Sequence, residues 1–325
     1  MAGGGRWIHL PFAEKMIETN RKNMKTKAQK IIAVLIVCFG FTMLFYPWFS
    51  NWLYSHSVDS DVQVYKEETE QTDHGQLEKI LAAAHEYNKE LADSRVSLTD
   101  PFVAAADSDG SDVSYEETLS LDASGLMCFI DIPKIGVYLP VYHGTSGTAL
   151  EYGAGHLEGS SLPVGGENTR AVISAHTGIN SSKMFSDLTE MKEGDLFFIH
   201  VLDETLAYRV CDIKVILPED TGSLIPEKGK DLVSLLTCTP YGVNTHRLVV
   251  TGERTEYSDE VVEEAEASKN DAGISQWMLA YRKALVIGLI ITAIFAIFIK
   301  VFEKVKKKRD KNSEIRQQEN KETKT

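Results

Sequence analysis

The chain has 325 residues and a net charge of -13, with 47 acidic against 34 basic side chains and 43% hydrophobic residues. An acidic balance of this size excludes the basic footprint that nucleic-acid binding requires and otherwise serves solubility. The length admits two average domains or one larger β domain with appendages.

In chain order, residues 1–30 read as a cytoplasmic N-terminal segment and 31–53 as a transmembrane anchor. Ile31 to Phe49 carries no charge over roughly 19 residues, enough to cross a hydrocarbon layer of about 30 Å. Its length and the lack of a small-x-small site after it favour a retained anchor over a cleaved signal peptide. A second apolar run, Ala284 to Ile299, extends to a span over 284–302. Arg21, Lys22, Lys25, Lys27 and Lys30 precede the first run, and Lys300, Lys304, Lys306, Lys307, Lys308 and Arg309 follow the second. The positive-inside rule then puts both termini in the cytoplasm and the middle of the chain outside the cell. Trp48, Trp52, Tyr54, Trp277 and Tyr281 sit where interfacial aromatics belong.

Residues 54–74 are polar and acidic and read as a stalk. Leu77, Ile80, Leu81, Ala84, Tyr87 and Leu91 recur at spacings of three and four, which predicts an amphipathic helix from Gly75 to Arg95. The irregular stretch at about 96–124 is long enough to be functional or disordered. From Met127 onward, short apolar runs alternate with turn signals: Met127 to Ile132, Val137 to Tyr142, Ala171 to Ala175, Leu196 to Val201, Ala207 to Leu217, Leu232 to Cys238 and Leu248 to Gly252. A short helix is expected at Ser181 to Glu190. Seven or eight such strands with little helix indicate a mainly β domain, a barrel or a sandwich. The acidic residues within 254–283 read as a solvated tether, and 303–325 as a cytoplasmic tail, disordered from Arg309.

Four cysteines make a poor disulfide framework, because Cys38 lies in the first apolar run and Cys128, Cys211 and Cys238 leave an odd number outside it. Cys128 and Cys211 sit in apolar strand-like runs, which favours buried inert thiols over a bridge between them. Cys238 differs. It ends the run Leu235-Leu236-Thr237-Cys238, before the turn Pro240-Tyr241-Gly242, and Arg247 opens the next run. If the two runs pair antiparallel, thiol and guanidinium become neighbours, and a fixed cation favours the thiolate and can hold an acyl oxygen. The pattern points to acyl transfer through a thioester. Such chemistry needs a proton carrier, and histidine is the side chain best tuned for it. Of His143, His156, His176, His200 and His246, His176 is favoured because it closes an apolar run and opens into a loop, with His246 next as the neighbour of Arg247. In a regular strand His246 would point away from Arg247. The histidines lack paired ligand spacing and the acidic residues form no calcium loop, so neither metal nor cofactor is expected.

Several segments together resemble the sortases, the Gram-positive cell-surface transpeptidases, and within them the pilin-polymerising class C enzymes. They are Ile132-Pro133-Lys134-Ile135-Gly136, Leu162-Pro163-Val164-Gly165-Gly166, Ser174-Ala175-His176-Thr177-Gly178, Lys183-Met184-Phe185-Ser186-Asp187-Leu188, and the stretch from Leu235 through Arg247. Ser234, Ala175 and Thr177 depart from the usual family residues and leave the three reactive positions intact. The resemblance covers roughly residues 75–253 as the catalytic domain, with a lid at about 96–124, and implies a closed eight-stranded barrel with short helices, an N-terminal helix and a lid loop, flanked by two transmembrane helices. It assigns Cys238 as nucleophile, His176 as general acid and base, and Arg247 as the group that polarises the scissile carbonyl. It also implies that Asp100-Pro101-Phe102 belongs to a lid, with Phe102 covering the Cys238 sulfur and Asp100 paired to Arg247. The implied partners are pilin or surface proteins bearing a Leu-Pro-x-Thr-Gly-like signal, cleaved after threonine and joined to a pilin lysine. Attachment to a cell-wall precursor is the second reading, and a non-enzymatic membrane-anchored binding protein the third.

Overall fold

Eight strands close into a barrel in the order β1-β2-β3-β4-β7-β8-β6-β5. They are β1 (Leu126–Ile132), β2 (Val137–Tyr142), β3 (Ala154–His156), β4 (Thr169–Ser174), β5 (Leu196–Val201), β6 (Glu204–Ile216), β7 (Asp231–Thr239) and β8 (His246–Thr255). The computed structural model describes residues 11–93, 98–104, 113–122, 124–178, 183–271 and 275–322. Pairing is antiparallel except for β2 with β3 and β4 with β7. Period-two alternation sends Ala171, Ile173, Val233, Leu235, Leu248 and Val250 into the interior, with Met127, Phe197 and Tyr208. The outward side chains of the same strands, Val172, Leu236, Val249 and Ile216, form a second apolar cluster on the barrel surface.

β3 has no run of apolar residues to announce it. Its glycine and that of the preceding turn stand where side chains do not fit: a Cβ at Gly153 would lie 2.5 Å from the Pro140 carbonyl oxygen, and one at Gly155 would collide with that of Gly144. Glycine marks close backbone approach here rather than a loop.

The helices are α1 (Pro11–Gln71), α2 (His74–Asp93), α3 (Pro101–Ala104), α4 (Val113–Glu117), α5 (Gly147–Tyr152), α6 (Asp259–Ala267) and α7 (Gln276–Glu322). Four segments take a form that the sequence did not announce. The segment expected as a stalk is helical over residues 54–71. Val58, Val62 and Tyr65, spaced by four and three, are buried with Leu126 and Phe129 of β1, so a sparse stripe suffices once a sheet is there to receive it. The acidic tether contains α6, capped by the Ser258 hydroxyl accepting from Val261 N, with Ala265 buried against Leu196, Phe198 and Ala207. Beyond Arg309, α7 stays helical to Glu322. The helix expected at 181–190 is a 3-10 turn, Leu188–Glu190, and its residues 181 and 182 lie outside the described residues, as do 96–97, 105–112 and 123 of the irregular stretch.

The chain divides into two compact units, Met1–Leu53 and Tyr54–Thr325. Within α7, Met278–Phe302 is long and apolar enough to cross a membrane, and none of it is buried in the protein. The N-terminal apolar run is interrupted at Pro47, which lacks an N–H for the helical ladder. It reaches span length only when Val34–Tyr46 and Trp48–Gln71 are counted together.

Tyr65 ties α1 to the barrel. Its hydroxyl donates to Met127 O at 2.9 Å and accepts from Leu202 N at 2.8 Å, both buried. Tyr65→Phe leaves these two groups unsatisfied and is expected to lower unfolding free energy by about 1–3 kcal/mol, measured by chemical denaturation followed by near-ultraviolet circular dichroism.

Candidate active site

β4, β7 and β8 are adjacent, and their ends build the site. Cys238 on β7 is the direct register partner of Arg247 on β8, as the turn length between their runs predicts. Cys238 follows Ser234 and Leu236 on the outward face, and Arg247 lies two residues before outward Val249. His176 lies two residues past the end of β4. Ala175 N donates to Leu236 O at 3.2 Å and the Thr237 hydroxyl donates to Ala175 O at 2.7 Å, which continues the β4–β7 pairing to the histidine. On its other side, His176 O accepts from Phe185 N at 3.1 Å.

The segment containing α3 lies across these groups. Thr221 holds its start by donating to Leu98 O at 2.9 Å, and Leu98 and Phe102 pack on the outward cluster. Asp100 grips Arg247 with both oxygens: Nε donates to Oδ1 at 2.8 Å and Nη2 to Oδ2 at 2.6 Å. Nη1 donates to the carbonyls of Asn244 and His246 at 3.1 and 3.0 Å. The Phe102 ring centroid lies 5.7 Å from that of His176 and 5.2 Å from the guanidinium carbon, within cation–π range. Phe102 thus meets both neighbours expected to work with Cys238. Cys238, Arg247 and Asp100 are 9%, 5% and 8% exposed, so this segment and the strands beneath it cover the site.

Burial sets the protonation states. It pushes the Cys238 thiol above its ordinary pKa, a rise reduced by the Arg247 charge and reinforced by Asp100. Burial also lowers the pKa of His176, which keeps its ring neutral. The covered site therefore holds a thiol and an imidazole rather than an ion pair. The Asp100 hydrogen bonds raise the pKa of Arg247 further.

The other histidines serve the scaffold. His156 is fully buried between the Tyr115 hydroxyl and Ser161 O, each at 2.8 Å, and burial drives its pKa to about 4. His200 stacks on Phe129 at 4.6 Å, and burial lowers its pKa to about 4. His143 contacts the carbonyls of Gly125 and Thr118, and His246 the Thr245 hydroxyl. Cys128 is fully buried, which raises its pKa strongly and makes it inert, while Cys211, exposed rather than buried, is also a free thiol. Among the described residues no three His, Cys, Asp or Glu side chains converge as metal ligands.

Sequence reasoning missed a cavity of about 210 Å³ beside Cys238, lined by Thr177, Ser186, Thr189 and Tyr241 among others. These residues come from two connections, β4–β5 and β7–β8, and no spacing in the chain announces their convergence.

A covered thiol beside a guanidinium, with an imidazole at the next strand end of a closed barrel, is an arrangement suited to cysteine acyl transfer. Residues 130–255 match the family described as Sortase domain. Sortase C of Streptococcus pneumoniae, whose crystal structure is described as bearing on catalysis and pilin substrate specificity, is 39% identical with a TM-score of 0.56, over 61% of this chain and 97% of that one. Sortase C-1 of Actinomyces oris is 44% identical with a TM-score of 0.52, over 56% of this chain and 99% of that one. Sortase A of Streptococcus agalactiae is 26% identical over 230 residues, 69% of this chain and 83% of that protein. The chain belongs to the sortase family, cysteine transpeptidases, and its structural neighbours are class C members.

Since burial and Asp100 both raise the Cys238 pKa, Asp100→Ala is expected to move the pH profile of thiol modification by a methanethiosulfonate reagent to lower pH. The profile, read by mass spectrometry, should still rise with pH, because the thiolate is the reacting form; an unmoved midpoint would count against the burial argument.

Proposed function

We propose that Cys238, His176 and Arg247 are the catalytic group of a pilin-polymerising sortase and that Asp100 and Phe102 form its lid. The observation that carries this reading is the registered Cys238–Arg247 pair with His176 at the end of the neighbouring strand, under a segment that occupies the arginine with a carboxylate.

The reaction follows from the groups. With the lid displaced, the His176 imidazole takes the thiol proton as Sγ attacks the threonine carbonyl of a Leu-Pro-x-Thr-Gly-like signal. The carbonyl oxygen gains negative charge, and the Arg247 fork donates to it in place of Asp100. Collapse breaks the threonine–glycine bond, the imidazolium gives its proton to the leaving amine, and a thioester remains on Cys238. A lysine amine of a second pilin then attacks the thioester carbonyl. His176 takes the amine proton and returns it to sulfur as the isopeptide bond forms. One cationic donor and one proton carrier suffice because each step exchanges one nucleophile for another at the same carbonyl.

The lid holds Arg247 as a substrate oxygen would, so the resting enzyme is self-inhibited. The relatedness to class C sortases favours a pilin acceptor over a cell-wall precursor, as would an anchor at each end of the catalytic domain. The Met278–Phe302 segment and the N-terminal apolar run would hold both termini in the cytoplasm and the barrel outside. Tethering on the same membrane as the substrates raises their effective concentration without any new contact.

Cys238→Ala is expected to abolish transfer. Arg247→Lys should reduce kcat by about 100-fold or more with the fold kept, because lysine cannot form the planar fork. His176→Ala should stop turnover as well. The assay incubates a lid-opened Phe102→Ala protein with pilins from the same cell and reads isopeptide-linked ladders by mass spectrometry. Near-normal transfer by the Cys238 or Arg247 variant would overturn the assignment.

A further inference from the structure

A cavity of about 860 Å³ lies at the other end of the β4–β7 pair from Cys238. Thr169, the first residue of β4, lines it, together with Lys89 and Ala92 of α2, Ile225 and Pro226 of the β6–β7 connection, and Leu98. Leu98 joins this cavity to the site, because it lines the cavity and also packs with Phe102 on the outward cluster of Val172, Leu236 and Val249. The lid therefore traces a path. It leaves the cavity at Leu98, meets Arg247 at Asp100, and reaches His176 at Phe102. Its direction is that of β4 and β7, from the start of each strand toward its end.

We infer that this cavity is an exosite for the stretch of a protein substrate immediately preceding its sorting signal, an inference that rests on the proposed function. A substrate that replaces the lid on the same path carries its scissile carbonyl to Cys238 and its upstream residues toward the start of β7. The strand from Asp231 to Cys238 is roughly 23 Å long at about 3.3 Å per residue, so an extended substrate needs about seven residues to cover it. The signal supplies four residues before the scissile bond, and those upstream of it enter the cavity. The lining suits such an occupant. Ile225 is 56% exposed and, with Pro226, offers apolar surface, while Lys89, Lys228, Glu167 and Glu227 set charges of both signs around it. That mixture favours an uncharged extended polypeptide over a phosphate-bearing ligand, which would call for cations alone.

The test uses the full chain in detergent, carrying Phe102→Ala to open the lid, and two fluorogenic peptides. One bears only the signal Leu-Pro-Ala-Thr-Gly; the other adds ten residues of alternating threonine and valine before it. The extension is expected to lower KM by about tenfold. Ile225→Asp or Ala92→Trp, both at exposed positions, should abolish that advantage and leave KM and kcat for the short peptide within about twofold. An extension without effect, or an advantage that survives both substitutions, would overturn the exosite. If neither peptide is turned over, the proposed function fails, and the exosite is still decided by fluorescence anisotropy of the labelled extension alone, which must bind the unsubstituted groove and not the Ile225→Asp variant.

Discussion

The ion pair between Asp100 and Arg247 is the contact on which the resting site depends. Both side chains are almost wholly buried, at 7% and 6% exposure, and both carboxylate oxygens are engaged. Removing one partner of such a pair leaves a bare charge in a dry place, a loss of about 3–5 kcal/mol. The lid therefore cannot simply swing away. Arg247 must receive another acceptor as Asp100 leaves, and in the proposed reaction the substrate carbonyl is that acceptor. On the proposed mechanism one guanidinium serves the closed state through a carboxylate and the reaction through an oxyanion; its Nη1 group is held to the Asn244 and His246 carbonyls.

The protonation states fit a covered site. Burial keeps the thiol protonated and the imidazole neutral, so no charge is stranded beneath the lid apart from the satisfied arginine pair. Opening admits water and removes the Asp100 charge, and both changes favour the thiolate. On the proposed function, reactivity and access are coupled through the same residue, which would guard the Cys238 thiol from oxidants.

Much of the barrel was legible because its strands alternate cleanly and end in turn residues, and the Cys238–Arg247 juxtaposition followed from the length of one turn. His176 stood out by its place at a strand end. What the chain concealed has physical reasons. β3 is glycine where backbones touch; the Val58, Val62, Tyr65 stripe is too sparse to read without the surface it covers; and α6 hides three small apolar contacts in an acidic run. Asp100 and Arg247 are 147 residues apart, and no local pattern joins them; only the family resemblance suggested the pairing. The cavity beside Cys238 was equally hidden, since loops supply its hydroxyls and a barrel brings them together.

A double-mutant cycle on the lid pair tests the central claim most directly, with single-turnover formation of the thioacyl enzyme from a sorting-signal peptide as the readout. Asp100→Ala should accelerate acylation when Arg247 is present and have little effect in an Arg247→Lys background, because the carboxylate inhibits by occupying that guanidinium. Equal acceleration in both backgrounds would mean that Asp100 acts elsewhere and would contradict the account.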